Sequence, residues 1–256
     1  MVTNTSDSQS VKTTETAFAI IDALEKRNGA RVSEVAGDLD LAKSTVYRHL
    51  TTLVEQEWAA KEGDIYHVGL RFVEIGEHAR TRKKGYQMAG KKVEELAAET
   101  DERAQFIVEE HGEGVYIYRG IGSHAVRTDS GIGKRVPLHA ISAGKAILAR
   151  MSEEKVDQIL DRQGLPSLTP NTITTREKLF DEFESIRKQG YSVNNEENIE
   201  GLCAVGVPIK NKDGSALGAL SVSGPTRRMK GPWFEQDLPD LLLGTANELE
   251  LNIMYA

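Results

Sequence analysis

The stretch LDLAKSTVYRHLTTLVEQEW, residues 39–58, constrains this chain more than any other. Val46, Leu50, Leu53 and Val54 recur at i, i+4, i+7 and i+8, which places four apolar side chains on one face of a helix. Lys43, Ser44, Thr45, Tyr47, Arg48 and Thr51 fall elsewhere on that helix. Hydroxyls, a phenol and two cations gathered this closely make either an ordinary solvated side or a helix built to enter a DNA groove. The flanking sequence favours the groove. Upstream, Ala17, Ile20, Ile21 and Leu24 keep helical spacing. Asn28-Gly29 closes that helix, because glycine tolerates the left-handed cap conformation. RVSEVAGDLDL follows as a short second helix with Ser33 at its N-cap, the hydroxyl accepting an orphan backbone N–H. Downstream, WAAKEGDIYHVG reads as two short strands with Glu62-Gly63-Asp64 at the bend. Helix, short helix, turn, helix, hairpin is the order of a winged helix-turn-helix.

This organisation predicts a disordered polar leader over 1–13, the winged module over 14–69, a charged linker helix over 70–85 and a second domain over 86–256. The linker ends in Arg80, Arg82, Lys83 and Lys84, which is equally the solvated end of a helix or a functional basic patch, and Gly85 breaks it. Beyond it, a helix over Met88 to Ala98 leads into the strands RAQFIVEE, VYIYRGI and SHAVRT. The helical runs SAGKAILARM, SEEKVDQIL and TTREKLFDEFESIRKQG follow. Strands return in GYSV, CAVGVPIK and SALGALSVSG, and a last helix carries Pro239 near its start, where proline is tolerated. Strands, then helices, then strands rejoining one sheet describe an α+β sensor domain.

Composition narrows the function. The formal net charge is −7, which opposes a whole-surface nucleic-acid binder but leaves room for a small DNA-binding module. Residues 1–85 hold 12 Lys and Arg against 13 Asp and Glu, so most of the acidic excess lies further on. A single cysteine, Cys203, permits no intrachain disulfide, and no apolar stretch is long enough to span a bilayer. A cytoplasmic protein without membrane contact is expected. Enzyme signatures fail: around Gly133-Lys134 a phosphate loop lacks its first glycine at Thr128 and its hydroxyl at Arg135. There is no nucleophile elbow, and His111, His124 and His139 show no metal-ligand spacing. No catalytic residue, metal or cofactor is expected.

Two features point to a ligand. SAGKA opens a helix with small residues, which lets backbone N–H groups approach an anion. Ser221 and Ser223 alternate along a strand, so both hydroxyls face one side.

The chain resembles the IclR family of transcription regulators. The N-terminal residues that carry the resemblance are LAKSTVYRHLTTLVEQEW and VGLRFVEIG. The C-terminal ones are RVPLHAISAGKAILA, LTPNTITT, KQGYSVNNEE and ALSVSGP. The resemblance implies a winged helix-turn-helix, a linker helix and a GAF-like α/β ligand-binding domain, in a homodimer or dimer of dimers on a palindromic double-stranded DNA operator. It makes the third helix the recognition helix, with Ser44 and Thr45 at phosphates and Tyr47, Arg48 and Lys43 reaching base edges. It also implies an effector pocket with Ser142, Ala143 and Gly144 below, Ser221 and Ser223 on one wall, and Asn194, Leu202 and Ala204 on a loop. Val126 and Thr128 would line the far side. Asn194-Asn195 stands where many relatives carry two aspartates, and Cys203-Ala204 where they carry Arg-Cys. The pocket is therefore expected to favour a small organic anion, a carboxylate above all, held by backbone amides and Ser/Asn side chains rather than by an arginine. The alternatives are a ligand-independent regulator whose second domain only oligomerises, and an enzyme.

Overall fold

The computed structural model describes residues 10–125 and 131–255. Its contacts divide the chain between Ala79 and Arg80. In the first unit, α1 (Lys12–Arg27), α2 (Val32–Asp38) and α3 (Lys43–Glu55) are followed by the antiparallel pair β1 (Ala59–Glu62) and β2 (Ile65–Val68). The apolar stripe of α3 buries Val46, Leu50 and Leu53 against Ile20, Leu24 and Val35. Asn28, in the left-handed conformation, caps α1. The hairpin is tied back at Ala30, which exchanges both backbone hydrogen bonds with Tyr66. Arg27 forks onto Asp38 through Nε and Nη2 at 2.5 and 2.6 Å and so links α1 to α2.

Four local expectations change. α1 begins at Lys12, two residues inside the expected leader, of which 1–9 lie outside the described residues. Ser33 is not the N-cap of α2. That place falls to Arg31, whose N–H donates to the Glu34 carboxylate one turn on. Gly85 breaks nothing: α4 (Arg71–Thr81) stops earlier, and Gly85 lies inside α5 (Lys84–Thr100), where a Cβ would meet Leu217. Close packing, not chain reversal, explains that glycine. Within SHAVRT, Ser123–Ala125 form a turn rather than a strand, and the rest lies outside the described residues.

The second unit is built on an antiparallel sheet of six strands among the described residues, in the order β5-β4-β3-β8-β7-β6. The strands are β3 (Arg103–Glu110), β4 (Glu113–Ile121), β5 (Arg135–Pro137), β6 (Ser192–Asn195), β7 (Leu202–Lys210) and β8 (Ala216–Pro225). β5 is a short strand that the sequence reading passed over. Both faces are covered. α5 and α9 (Leu238–Tyr255) pack with Phe106, Val205, Val207, Leu220 and Val222 on one side. On the other, α6 (Ser142–Leu148), α7 (Glu153–Gln163) and α8 (Arg176–Gln189) share a core with Ile107 and Ala219.

Gly206 sets how closely α6 approaches this sheet. A Cβ there would lie 2.7 Å from both the Ser142 carbonyl carbon and the Ala143 nitrogen. Those are backbone atoms, so neither can swing aside. Gly206→Ala is expected to cost about 1–3 kcal/mol through overpacking, measured as the fall in unfolding free energy of the full chain in urea.

Candidate functional site

Alternation along the strands builds a polar floor on the α6 side of the sheet. Arg103 pairs with Ser223, Ser223 with Ala204, and Ala204 with Asn194. The neighbouring row runs Gln105, Ser221, Gly206, Ser192. Successive side chains in a strand point to opposite faces, so both rows look the same way while Ala104, Phe106, Val205 and Val222 point into the opposite core.

Over this floor lies a cavity of ≈ 40 Å³. The structure brings six of the expected effector residues to its wall: Ser142, Asn194, Leu202, Ala204, Ser221 and Ser223. Ala143 and Gly144 are not part of that wall. Ala143 is fully buried with its amide under Gly206, and Gly144 packs so tightly on Leu138 that a Cβ would lie 2.1 Å from its carbonyl oxygen. Ala143 and Gly144 serve close packing of α6, and of the small residues of SAGKA only Ser142 reaches the cavity wall. Val126 and Thr128 lie outside the described residues.

The expectation of a pocket without an arginine is overturned by Arg103. It is 7% exposed and lines the cavity beside Gln105 and Tyr116. Its Nε and Nη2 donate to Ser223 Oγ at 3.2 and 3.1 Å. Gln105 Nε2 donates to the same oxygen at 3.1 Å and accepts from Ser221 Oγ through Oε1 at 2.9 Å. Burial works against the guanidinium's charge and pushes the Tyr116 phenol up. The signal was present in RAQFIVEE: over residues 103–108 the polar Arg103 and Gln105 share the phase of Ile107, while Ala104, Phe106 and Val108 make the other phase apolar.

Beside the cavity, the segment joining β6 to β7 is pinned from below. Thr169 Oγ1 donates to the Glu196 carbonyl at 2.7 Å, and Thr172 Oγ1 to that of Glu197 at 2.6 Å. Lys145, 1% exposed, donates to Glu197 Oε1 at 2.7 Å and to Glu182 Oε1 at 3.0 Å. Asn194 accepts from the Glu197 N–H at 3.2 Å and donates to the Ala140 carbonyl at 2.5 Å. No group of three or more His, Cys, Asp or Glu able to hold a metal occurs among the described residues.

In the first unit, Lys43, Ser44, Tyr47 and Arg48 are exposed on α3 and Thr45 is half-buried. Ser44 lies on the far side of α3 from the buried stripe, whereas Thr45 and Arg48 both line a groove with Phe18 and Ile21 of α1.

Residues 13–63 match the family model for the IclR helix-turn-helix domain, and residues 81–250 that for the bacterial transcriptional regulator IclR C-terminal domain. The chain belongs to the IclR family. It is 29% identical over 244 residues to a probable HTH-type transcriptional regulator ArcR of Halobacterium salinarum, covering 94% of this chain and 93% of that one. The structure of the Thermotoga maritima IclR superposes with a TM-score of 0.80 at 31% identity, covering 94% and 98%. The inducer-binding domain of PobR from Acinetobacter, solved as a double mutant with 3-hydroxybenzoic acid, matches at 28% identity with a TM-score of 0.59, covering 64% and 96%. IclR proteins are transcriptional regulators, and this chain is one of them rather than an enzyme.

The buried Lys145 cluster has a pH consequence. Burial holds the Glu197 carboxyl above its usual 4.5, because Oε2 is enclosed without a hydrogen-bond partner and the Lys145 charge offsets this only in part. A raised pKa means that the folded state holds this proton more tightly than the unfolded chain. The resulting stability is complete below about pH 4.5 and is lost as pH rises through the folded-state value. Glu197→Gln removes the titration while Lys145 keeps Glu182. Melting temperatures measured from pH 4 to 8 should show the wild type losing ground to Glu197→Gln as pH increases.

Proposed function

We propose that this IclR-type regulator binds a near-palindromic double-stranded DNA operator through α3, as a homodimer or a pair of dimers, under control of a small organic anion seated in the β3–β8–β7 cavity. The observation that carries the DNA reading is the outward face of α3. Ser44, Tyr47 and Arg48 stand exposed while Val46, Leu50 and Leu53 are buried, so the helix can enter a groove without disturbing its own core. Arg48 has the fork that pairs with guanine, and Ser44 in the first turn suits a phosphate. One helix of this length reads only a few base pairs, which is why two copies on a two-fold site are required, with half-sites separated by whole turns of about 10–10.5 bp.

The effector reading is supported by the polar rows of the cavity and by the PobR domain, which was solved with a hydroxybenzoic acid. The domain boundaries that go with this function are a DNA-binding module over 14–69, a linker over 70–85 and an effector and oligomerisation domain from 86 onward. Control would be linkage: an anion that binds one DNA-competent or incompetent geometry better shifts operator affinity, and couplings of about 1–3 kcal/mol are typical.

An operator selected from random duplexes and checked by footprinting tests this. Arg48→Ala should weaken binding to the selected site by about 1–3 kcal/mol and relax preference at one position, with an unchanged melting curve. Ser44→Ala should weaken all sequences evenly. A protected region without two-fold symmetry, or an Arg48→Ala variant with wild-type affinity, would defeat the assignment.

A further inference from the structure

We propose that a second cavity of the second unit binds a small uncharged molecule, an apolar body the size of one ring that donates a single hydrogen bond to Nδ1 of His139. The proposal stands apart from the effector reading, because the walls of the two cavities have no described residue in common.

This cavity measures ≈ 130 Å³ and is walled by the turn Leu138–Ala140, the end of α6, α7 and the tight turns at Gly112 and Gly164. Leu138, Leu148, Ile159 and Leu160 make most of it apolar. Its other polar side chains are engaged. Gln163 Nε2 donates to the His111 carbonyl at 3.1 Å, and the Glu113 carboxylate faces Arg135 Nη1 at 3.6 Å. A buried water needs about two to four polar partners, so water gains little here. An apolar cavity of about 150 Å³ takes up a benzene ring, so one six-membered ring matches the space.

His139 supplies the specificity. It is 3% exposed and lines the cavity. Its Nε2 lies 3.1 Å from the Pro166 carbonyl oxygen. A carbonyl only accepts, so Nε2 carries the proton and donates. Burial holds this imidazole below its ordinary pKa, the Pro166 bond opposing that shift and the Lys145 charge adding to it. The ring is therefore neutral, and Nδ1 is an acceptor. Nδ1 has no hydrogen-bond partner among the described residues, and unlike Glu197 Oε2 it is not enclosed. With so little of the residue reaching the surface, the space open to Nδ1 is the cavity.

An acceptor in an apolar enclosure selects a donor. A hydroxyl on the ring satisfies Nδ1, whereas a methyl in the same place leaves the nitrogen buried and unpaired. A carboxylate would bring a charge that no lysine or arginine of this wall meets. An ammonium would find only Glu113, whose charge Arg135 already offsets.

Calorimetric titration and thermal shift of the full chain with phenol and toluene test this, since the two differ in the donor and not in the number of heavy atoms. Phenol should bind the wild type at least about tenfold more tightly than toluene. Neither cyclohexylammonium nor benzoate should displace it. His139→Gln keeps a donor for the Pro166 carbonyl and removes Nδ1, so phenol should fall to the affinity of toluene. Leu160→Phe fills the cavity and should abolish binding of both. Should either variant fail to fold, the wild type decides: crystals grown with phenol should show the ring against Leu160 with its hydroxyl on Nδ1. Equal affinities for phenol and toluene, or a His139→Gln variant that binds phenol like the wild type, would remove His139 and overturn the proposal. Phenol that binds Leu160→Phe unchanged, lies elsewhere in the crystal, or does not bind at all would remove the cavity. Displacement by benzoate or cyclohexylammonium would overturn the uncharged class.

Discussion

The second unit depends on a sheet that is covered on both faces. With α5 and α9 on one side and α6, α7 and α8 on the other, neither phase of a strand can meet water freely. Apolar side chains satisfy that condition at no cost, and in the phase that faces α9, β7 carries Cys203, Val205, Val207 and Ile209 and β8 carries Leu220 and Val222. In the other phase the strands carry Arg103, Gln105, Asn194, Ser192, Ser221 and Ser223, all buried. Buried polar groups are tolerated only when they bond to one another or to a ligand. The cross-strand rows supply the first kind of partner.

Gly206 and Gly144 fix the height of the roof over that floor. One lets the backbone of α6 rest on β7 and the other lets it rest on Leu138. Ser192 and Asn194 then reach up from β6 to the carbonyls of Ser142 and Ala140. The roof is therefore bonded to the floor through β6, and Ile199 and Leu202 are part of the cavity wall. The stretches that carry the family resemblance divide between these tasks. SAGKA packs, LTPNTITT pins the β6–β7 segment through Thr169 and Thr172, and ALSVSG provides the two serines.

Lys145 is the most deeply buried charged side chain of the unit among the described residues. A lysine at 1% exposure is stable only because two carboxylates reach it, and removing one partner from a buried pair typically costs about 3–5 kcal/mol. That expense holds α6, α8 and the β6–β7 segment at one point, next to the cavity but outside its wall. The enclosed Oε2 of Glu197 shows that the bond network is incomplete even there.

Periodicity determined the order of most elements, though not β5 or the turn after β4. The stripe of Val46, Leu50 and Leu53, the Asn28 cap, the two-strand hairpin and the alternating serines of β8 are local patterns, and each is legible because its physical cause lies within a few residues. What the sequence could not decide is what depends on partners far along the chain. Gly85 read as a helix breaker, yet it lies within α5 because Leu217, more than a hundred residues later, needs its space. SAGKA read as an anion seat, yet Gly144 packs on Leu138 and Ala143 lies against Gly206, and neither lines the cavity. Arg103 read as one cation in a strand, and only the register that sets it in one row with Ser223, Ala204 and Asn194 puts it on the wall of a cavity. Helix and strand periods are properties of neighbouring residues, whereas a binding wall is a property of strand register, which tertiary packing alone selects.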